Sequence, residues 1–204
     1  PVVSCNIAGV DQVVPWTILK RDVTLSSGTT EELRIGIAGV CPPETAQWNA
    51  ARLPETVQFK PIIPALSQSC AELRAAGADV VICLAHIGIT ADDTACVRPD
   101  GSHVNKNDTT LEVLSMSPLD AVILGHTHVS FTTDANAKIP AVLPAAHGGE
   151  LGKLTLDLSH DGKRWQVGNT SAATLPAAAQ PQKLTTPALN SARQQAQNWL
   201  DEPI

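Results

Sequence analysis

Two segments constrain the fold more than anything else in the chain. ADVVICLAH, ending at His86, and LDAVILGHTH, ending at His128, each carry an uninterrupted aliphatic run. A strand with one face in water alternates apolar and polar residues. A strand covered on both faces does not, and such strands belong to parallel sheets layered by helices. Ahead of the first run, residues 61–76 open with proline and stop before Gly77, with Ile62, Leu66, Cys70 and Leu73 recurring at helical spacing. That spacing predicts an amphipathic helix with one buried stripe. Helices alternating with aliphatic strands are the signature of an α/β layer structure.

The rest of the chain extends this pattern. Residues 2–7 and 33–40 read as further strands, and a long polar loop runs from Gly88 to about Asn107. Thr109 and Glu112 have the spacing of a capping box, which predicts a short helix opening there. IPAVLP, LGKLTLDLS and RWQVGNT then show strand chemistry, with SHDGK as the turn between the last two. An antiparallel portion is therefore expected after the parallel one. From Ser171 to about Thr186 the chain is rich in Ala, Pro and Gln and reads as a linker, followed by a weakly apolar helix over residues 187–200.

With 204 residues, 43% of them hydrophobic and 17% charged, the chain has the size and balance of a folded domain with a sizeable core. A net charge of -6 argues against a nucleic-acid polymer as partner, and no apolar run is long enough to span a bilayer. Of the five cysteines none forms a C-x-x-C pair, so no zinc knuckle or thioredoxin-like motif is expected. Cys83, inside an aliphatic strand, reads as a small buried hydrophobe. The chain opens on a strand pattern without an initiator Met, and is read as a piece of something longer.

The chemistry gathers at two strand ends. His86 closes one buried run and His126 follows the other, each near a glycine (Gly88, Gly125) that leaves room for a ligand. In open α/β sheets, ligands bind where strand C-termini and their loops converge. If residues 126–128 are extended, His126 and His128 point to one side with bases roughly 6.5 Å apart. That suits two cations about 3.5–4 Å apart, one imidazole reaching each. Three neutral imidazoles cannot hold two divalent cations alone, and the chain has no D-x-H or G-N-H to supply the rest. Asp92 and Asp93 read as loop residues. His147 either borders the site or shapes a glycine-rich turn, the turn being favoured; His103 and His160 read as exposed loop residues.

Together, DVVICLAHIG and DAVILGHTH resemble the second half of a calcineurin-like metallophosphoesterase domain of the 5′-nucleotidase group. PWTILKRDV, RIGIAGVCPPETAQWNAARL, VQFKPIIPAL and IPAVLPAAHGGELGKLTLDL follow the pattern of bacterial 2′,3′-cyclic-nucleotide 2′-phosphodiesterase/3′-nucleotidases. The resemblance implies part of a four-layer α/β/β/α sandwich with mixed sheets. It implies His86 and His126 as ligands of one metal and His128 as ligand of the other, in a centre of two divalent ions (Mn, Zn, Mg or Co). It further implies hydrolysis of small nucleotide phosphoesters, with 5′-nucleotides or nucleotide sugars as the alternative substrates, and a periplasmic or secreted setting. On this reading residues 1–170 are the C-terminal half of the phosphoesterase domain. Residues 171–204 lead towards a further nucleotide-binding domain. The chain alone would be catalytically silent and, with a sheet surface exposed, open to self-association.

Overall fold

The aliphatic runs pair with one another. In the computed structural model, which describes residues 1–89, 106–135, 137–177 and 186–201, the chain begins with three two-residue strands, β1 (Val2–Val3), β2 (Ile7–Ala8) and β3 (Val13–Val14). A long hairpin follows, β4 (Trp16–Thr24) and β5 (Thr30–Val40), then α1 (Thr45–Trp48), β6 (Gln58–Phe59) and α2 (Ile62–Ala75). Next come β7 (Val80–Ala85), α3 (Lys106–Leu114), β8 (Ala121–Leu124), β9 (Phe131–Thr132) and β10 (Ala141–Leu143). The hairpin β11 (Glu150–His160) and β12 (Trp165–Pro176) and the helix α4 (Thr186–Leu200) complete the described elements.

Six strands form one mixed sheet in the order β4-β5-β7-β8-β10-β9. Its centre is parallel: Cys83 of β7 lies opposite Ala38 of β5 and Val122 of β8. Both edges are antiparallel, β4 on β5 and β9 on β10. Residue parity then separates the two faces. Ala38 and Val40 with Val81, Cys83 and Ala85 pack under Ile62, Leu66, Cys70 and Leu73 of α2, the stripe read from the sequence. Leu33, Ile35, Val80 and Ile82 face the other way, onto Trp165, Leu156 and Val167 of the β11–β12 hairpin. Helices, mixed sheet and hairpin thus stack as an α/β fold of the expected class.

Arg74, near the end of α2, sets the alignment of the central strands. Its guanidinium donates to the carbonyls of Ala78, Asp79 and Pro118 and to the Asp120 carboxylate at 2.6 Å. The same carboxylate accepts the Val81 N–H at 2.7 Å. One side chain therefore ties the start of β7 to the start of β8, which brings His86 and His126 level at the opposite strand ends.

Several local expectations are corrected. The apolar run at residues 2–7 breaks into β1 and β2, because Cys5 donates its N–H to Gly39 and Asn6 turns inward. The strands β7 and β8 are not covered on both faces throughout: Leu84 and Ile123 are each 40% exposed on the hairpin side, which the hairpin covers only in part. The helix α3 begins at Lys106, so Thr109 lies within it rather than at a cap; the neighbouring Thr110 hydroxyl is buried and donates to the Gly88 carbonyl. The strand β12 runs on through Pro176, because hairpin pairing with β11 overrides the linker-like composition from Ser171. His160 ends β11 half-buried against Trp165. His103, Asp92 and Asp93 lie outside the described residues.

Cys83 is fully buried as expected, as is Cys70, and Cys5 in the same cluster is 9% exposed. Burial raises the Cys5 and Cys70 thiols from 9.0 to about 11, and Cys83 is raised well above 9.0 by the same cause. A raised thiol pKa contributes stability that is full below the unfolded value and is lost as pH rises towards the folded one. Stability should therefore fall across the range from 9.0 to about 11. Denaturant midpoints measured through that range check this, and a flat profile would contradict it.

Candidate metal centre at the C-terminal ends of the strands

His86 leaves β7 with its N–H bonded to Val40, and so stands at the carboxyl end of the parallel centre. One strand over, β8 stops at Leu124 and Gly125 hands the chain to His126-Thr127-His128. This segment is not extended. His126 has φ 80° and His128 has φ 59°, so both lie in the left-handed region and strand alternation does not orient their rings. The expectation of two imidazoles side by side on one strand is replaced by two separate pairings. His126 meets His86 edge-on, ring centroids 5.0 Å apart and planes at 63°. His128 turns to His147, with centroids 6.4 Å apart.

Left-handed backbone is rare for residues other than glycine and costs of order 1–3 kcal/mol each. Among the described residues, His126, His128 and His147 are the non-glycine positions that adopt it. Strain of that kind persists where the surroundings impose it, and it tends to gather at functional sites. Between the two histidines, Thr127 packs on Gly88. Its hydroxyl donates to the Ile89 carbonyl at 2.9 Å, and a Cβ on Gly88 would sit 2.2 Å from both its Oγ1 and its Cγ2. The glycine of AHIG is thus the seat for the threonine of GHTH. Gly88→Ala should destabilise the fold by about 2 kcal/mol, the overpacking scale, and displace both flanking histidines. Urea denaturation with the His126 NMR resonances as reporter checks it; unchanged resonances would contradict this seating.

His147 occupies the turn favoured from sequence, at φ 61°, and also borders His128. Glu150 closes that turn. Its carboxylate accepts the Ala145 N–H at 2.9 Å, and this bond, with one from Ser130, holds its pKa below the usual value. Sequence reading did not single out Trp48. It ends α1 in the PPETAQW segment and stacks on His126, centroids 5.3 Å apart and planes at 15°. The available signal was scarcity: aromatic residues make up 3% of the chain. A cavity of about 350 Å³ opens beside His126, lined by Pro42, Glu44, Ile62 and Ile87 among others.

Two imidazoles bound to one tetrahedral ion at about 2.0–2.1 Å place their ring centroids about 5 Å apart. The His86–His126 pair at 5.0 Å fits that arrangement. Among the described residues no group of three or more His, Cys, Asp or Glu is close enough to hold an ion outright. The described residues thus bring imidazoles together at the strand ends without a grouped carboxylate or thiolate beside them.

No family model matches the chain. Over 193 residues it is 28% identical to the 2′,3′-cyclic-nucleotide 2′-phosphodiesterase/3′-nucleotidase of Salmonella typhimurium, a match covering 86% of this chain and 29% of that protein. It is 25% identical over 217 residues to the trifunctional nucleotide phosphoesterase protein YfkN of Bacillus subtilis, covering 98% of this chain and 14% of that protein. The chain thus spans less than a third of the length of either relative. In fold it matches the crystal structure of the calcineurin-like phosphoesterase YfkN from Bacillus subtilis with a TM-score of 0.81 at 22% identity, covering 99% of this chain and 64% of that one.

Proposed function

The chain is a homologue of bacterial nucleotide phosphoesterases and carries the calcineurin-like phosphoesterase fold, and from that premise we propose that it supplies one wall of a metal centre that hydrolyses nucleotide phosphoesters. His86 and His126 would hold one divalent cation and His128 the other. The observation that carries this is the left-handed backbone of His126 and His128 at the strand ends. A sheet has no structural need for strained histidines there, whereas a ligand-bearing loop does. Two divalent cations bound together polarise phosphoryl oxygens and make water a nucleophile near neutral pH.

The chain's own residues do the holding. The Arg74–Asp120 clamp levels the strand ends, Thr127 on Gly88 fixes the loop, and the three imidazoles present nitrogen ligands. Anionic ligands complete any such centre, since neutral imidazoles leave the charge of two cations uncompensated. In a protein of the relatives' length, the substrates we propose are 2′,3′-cyclic nucleotides and 3′-nucleotides, in a periplasmic or secreted setting. Residues 1–170 would form part of the phosphoesterase domain, and α4 would lead out of it.

Initial rates on 2′,3′-cyclic AMP, 3′-AMP and 5′-AMP with Mn²⁺ test the proposal. In such a longer protein the first two are expected to be hydrolysed in preference to 5′-AMP; the reverse preference moves the assignment to 5′-nucleotidase chemistry. This chain alone is expected to show negligible turnover. Clear turnover by it, abolished by His126→Ala, would show that it holds a complete centre.

A further inference from the structure

We infer that Trp48 is a positioning residue for His126: its indole sets the plane in which that imidazole meets a divalent cation. The inference rests on the reading of His126 as a metal ligand and adds to it a group that cannot itself bind metal.

The indole is brought to the site by a braced segment. Asn6, fully buried, donates to the Cys41 carbonyl at 2.8 Å and accepts the Cys41 N–H at 3.0 Å, anchoring the chain as it leaves β5. Pro42 and Pro43 hold their own φ angles fixed. The carbonyls of Pro42, Pro43 and Glu44 then accept the N–H groups of Thr45, Ala46 and Trp48 in the turn that becomes α1. Trp48 is delivered onto the face of His126.

The geometry is that of an offset stack. Parallel aromatic rings in contact lie about 3.5–4 Å apart, so a centroid separation of 5.3 Å means the rings are slid past one another, a preferred arrangement for aromatic pairs. The histidine sits in a loop on left-handed backbone, and the indole is one of the groups in contact with its ring. His86 meets it edge-on and leaves its face to the indole. An imidazole that binds a cation becomes more positive, and the face of an indole attracts positive charge, so the stack strengthens when the ion arrives. Core packing does not account for the placement: Trp48 is 51% exposed, whereas Trp165 is 7% exposed.

The test compares the chain with its W48A and W48F variants by NMR of ¹³C-labelled histidine and by Co²⁺ titration. His126 is assigned by its disappearance in His126→Gly. In the metal-free protein its ring protons should be shifted upfield by the indole, and the shift should vanish in W48A. Co²⁺ affinity should fall about 10-fold in W48A, the scale for groups that orient a metal-binding histidine, and be largely kept in W48F. Co²⁺ should also quench a part of the tryptophan fluorescence that W48F lacks. His126 resonances without an upfield shift in the wild-type chain would overturn the inference, with no variant required to fold. So would W48A binding Co²⁺ as tightly as wild type. A wild-type chain that takes up no Co²⁺ would remove the metal reading itself, and this inference with it.

Discussion

On the proposed ligand role, His126→Gly is expected to weaken metal uptake while leaving the chain about as stable as before. A core residue could not be removed on those terms. Loss of a ligand should weaken Co²⁺ or Zn²⁺ binding by more than the roughly 10–100-fold typical of groups behind a ligand. Stability follows separate terms. Glycine adopts φ 80° freely, so the substitution relieves left-handed strain of about 1–3 kcal/mol. Against this stand the lost stacking, about 0.5–1.5 kcal/mol, and the greater entropy of an unfolded glycine, about 0.5–1 kcal/mol. These offset to within about 1 kcal/mol, or a few degrees in Tm for a chain of this size. His126→Ala keeps the strain and loses the ring, so it should be the less stable of the two. Calorimetric titration and thermal melts measure both quantities on the same samples. A large drop in Tm for the glycine variant would make His126 a structural residue, and undiminished metal binding would remove it from the site.

The largest loss of stability is expected at Asn6. This side chain is fully buried and uses both ends of its amide. Its nitrogen donates to Cys41 at 2.8 Å and Lys60 at 3.2 Å, while its oxygen accepts from the Cys41 N–H at 3.0 Å and the Ser4 hydroxyl at 3.2 Å. Asn6→Leu has similar volume but leaves the part-buried Cys41 and Lys60 backbone groups without their amide partner. Each buried group left unsatisfied costs about 1–3 kcal/mol, so a total of roughly 3–5 kcal/mol is expected, at the diagnostic end for a point substitution. Because Asn6 roots the segment bearing Trp48, the variant should also release that indole, seen as a red shift of its fluorescence. Urea denaturation gives the energy. A cost below about 1 kcal/mol would mean that water replaces the amide and that the segment is held by other contacts.

How much of this was legible in the chain depended on the range of the signal. The α2 stripe, the aliphatic strands β7 and β8 and the turn at SHDGK are written in residue periods and turn chemistry, which act over a few neighbours. Where the strand ends and helix starts went wrong, a distant contact had won over local pattern. Thr109 lies inside α3, with the adjacent Thr110 bonded to Gly88, and the Ala-rich stretch after Ser171 is drawn into strand by pairing with β11. The open Leu84 and Ile123 were misjudged for a similar reason: an aliphatic run states what the residues could bury, not how far the covering hairpin reaches.

Alone, the sequence determined that this is an α/β chain, that two of its buried strands end in histidine, and that glycines stand beside them. These follow from side-chain chemistry and short-range periodicity. Only the tertiary structure decided how the histidines are used. His126 and His128 lie on left-handed backbone to either side of Thr127, which packs on Gly88, and this cancels the strand rule that would have aligned them. His126 is thereby paired with His86 and His128 with His147, and a tryptophan from another loop is laid across the first pair. The direction of a ring is set by backbone sign and by neighbours tens of residues away, and neither is encoded in the spacing of G-H-T-H.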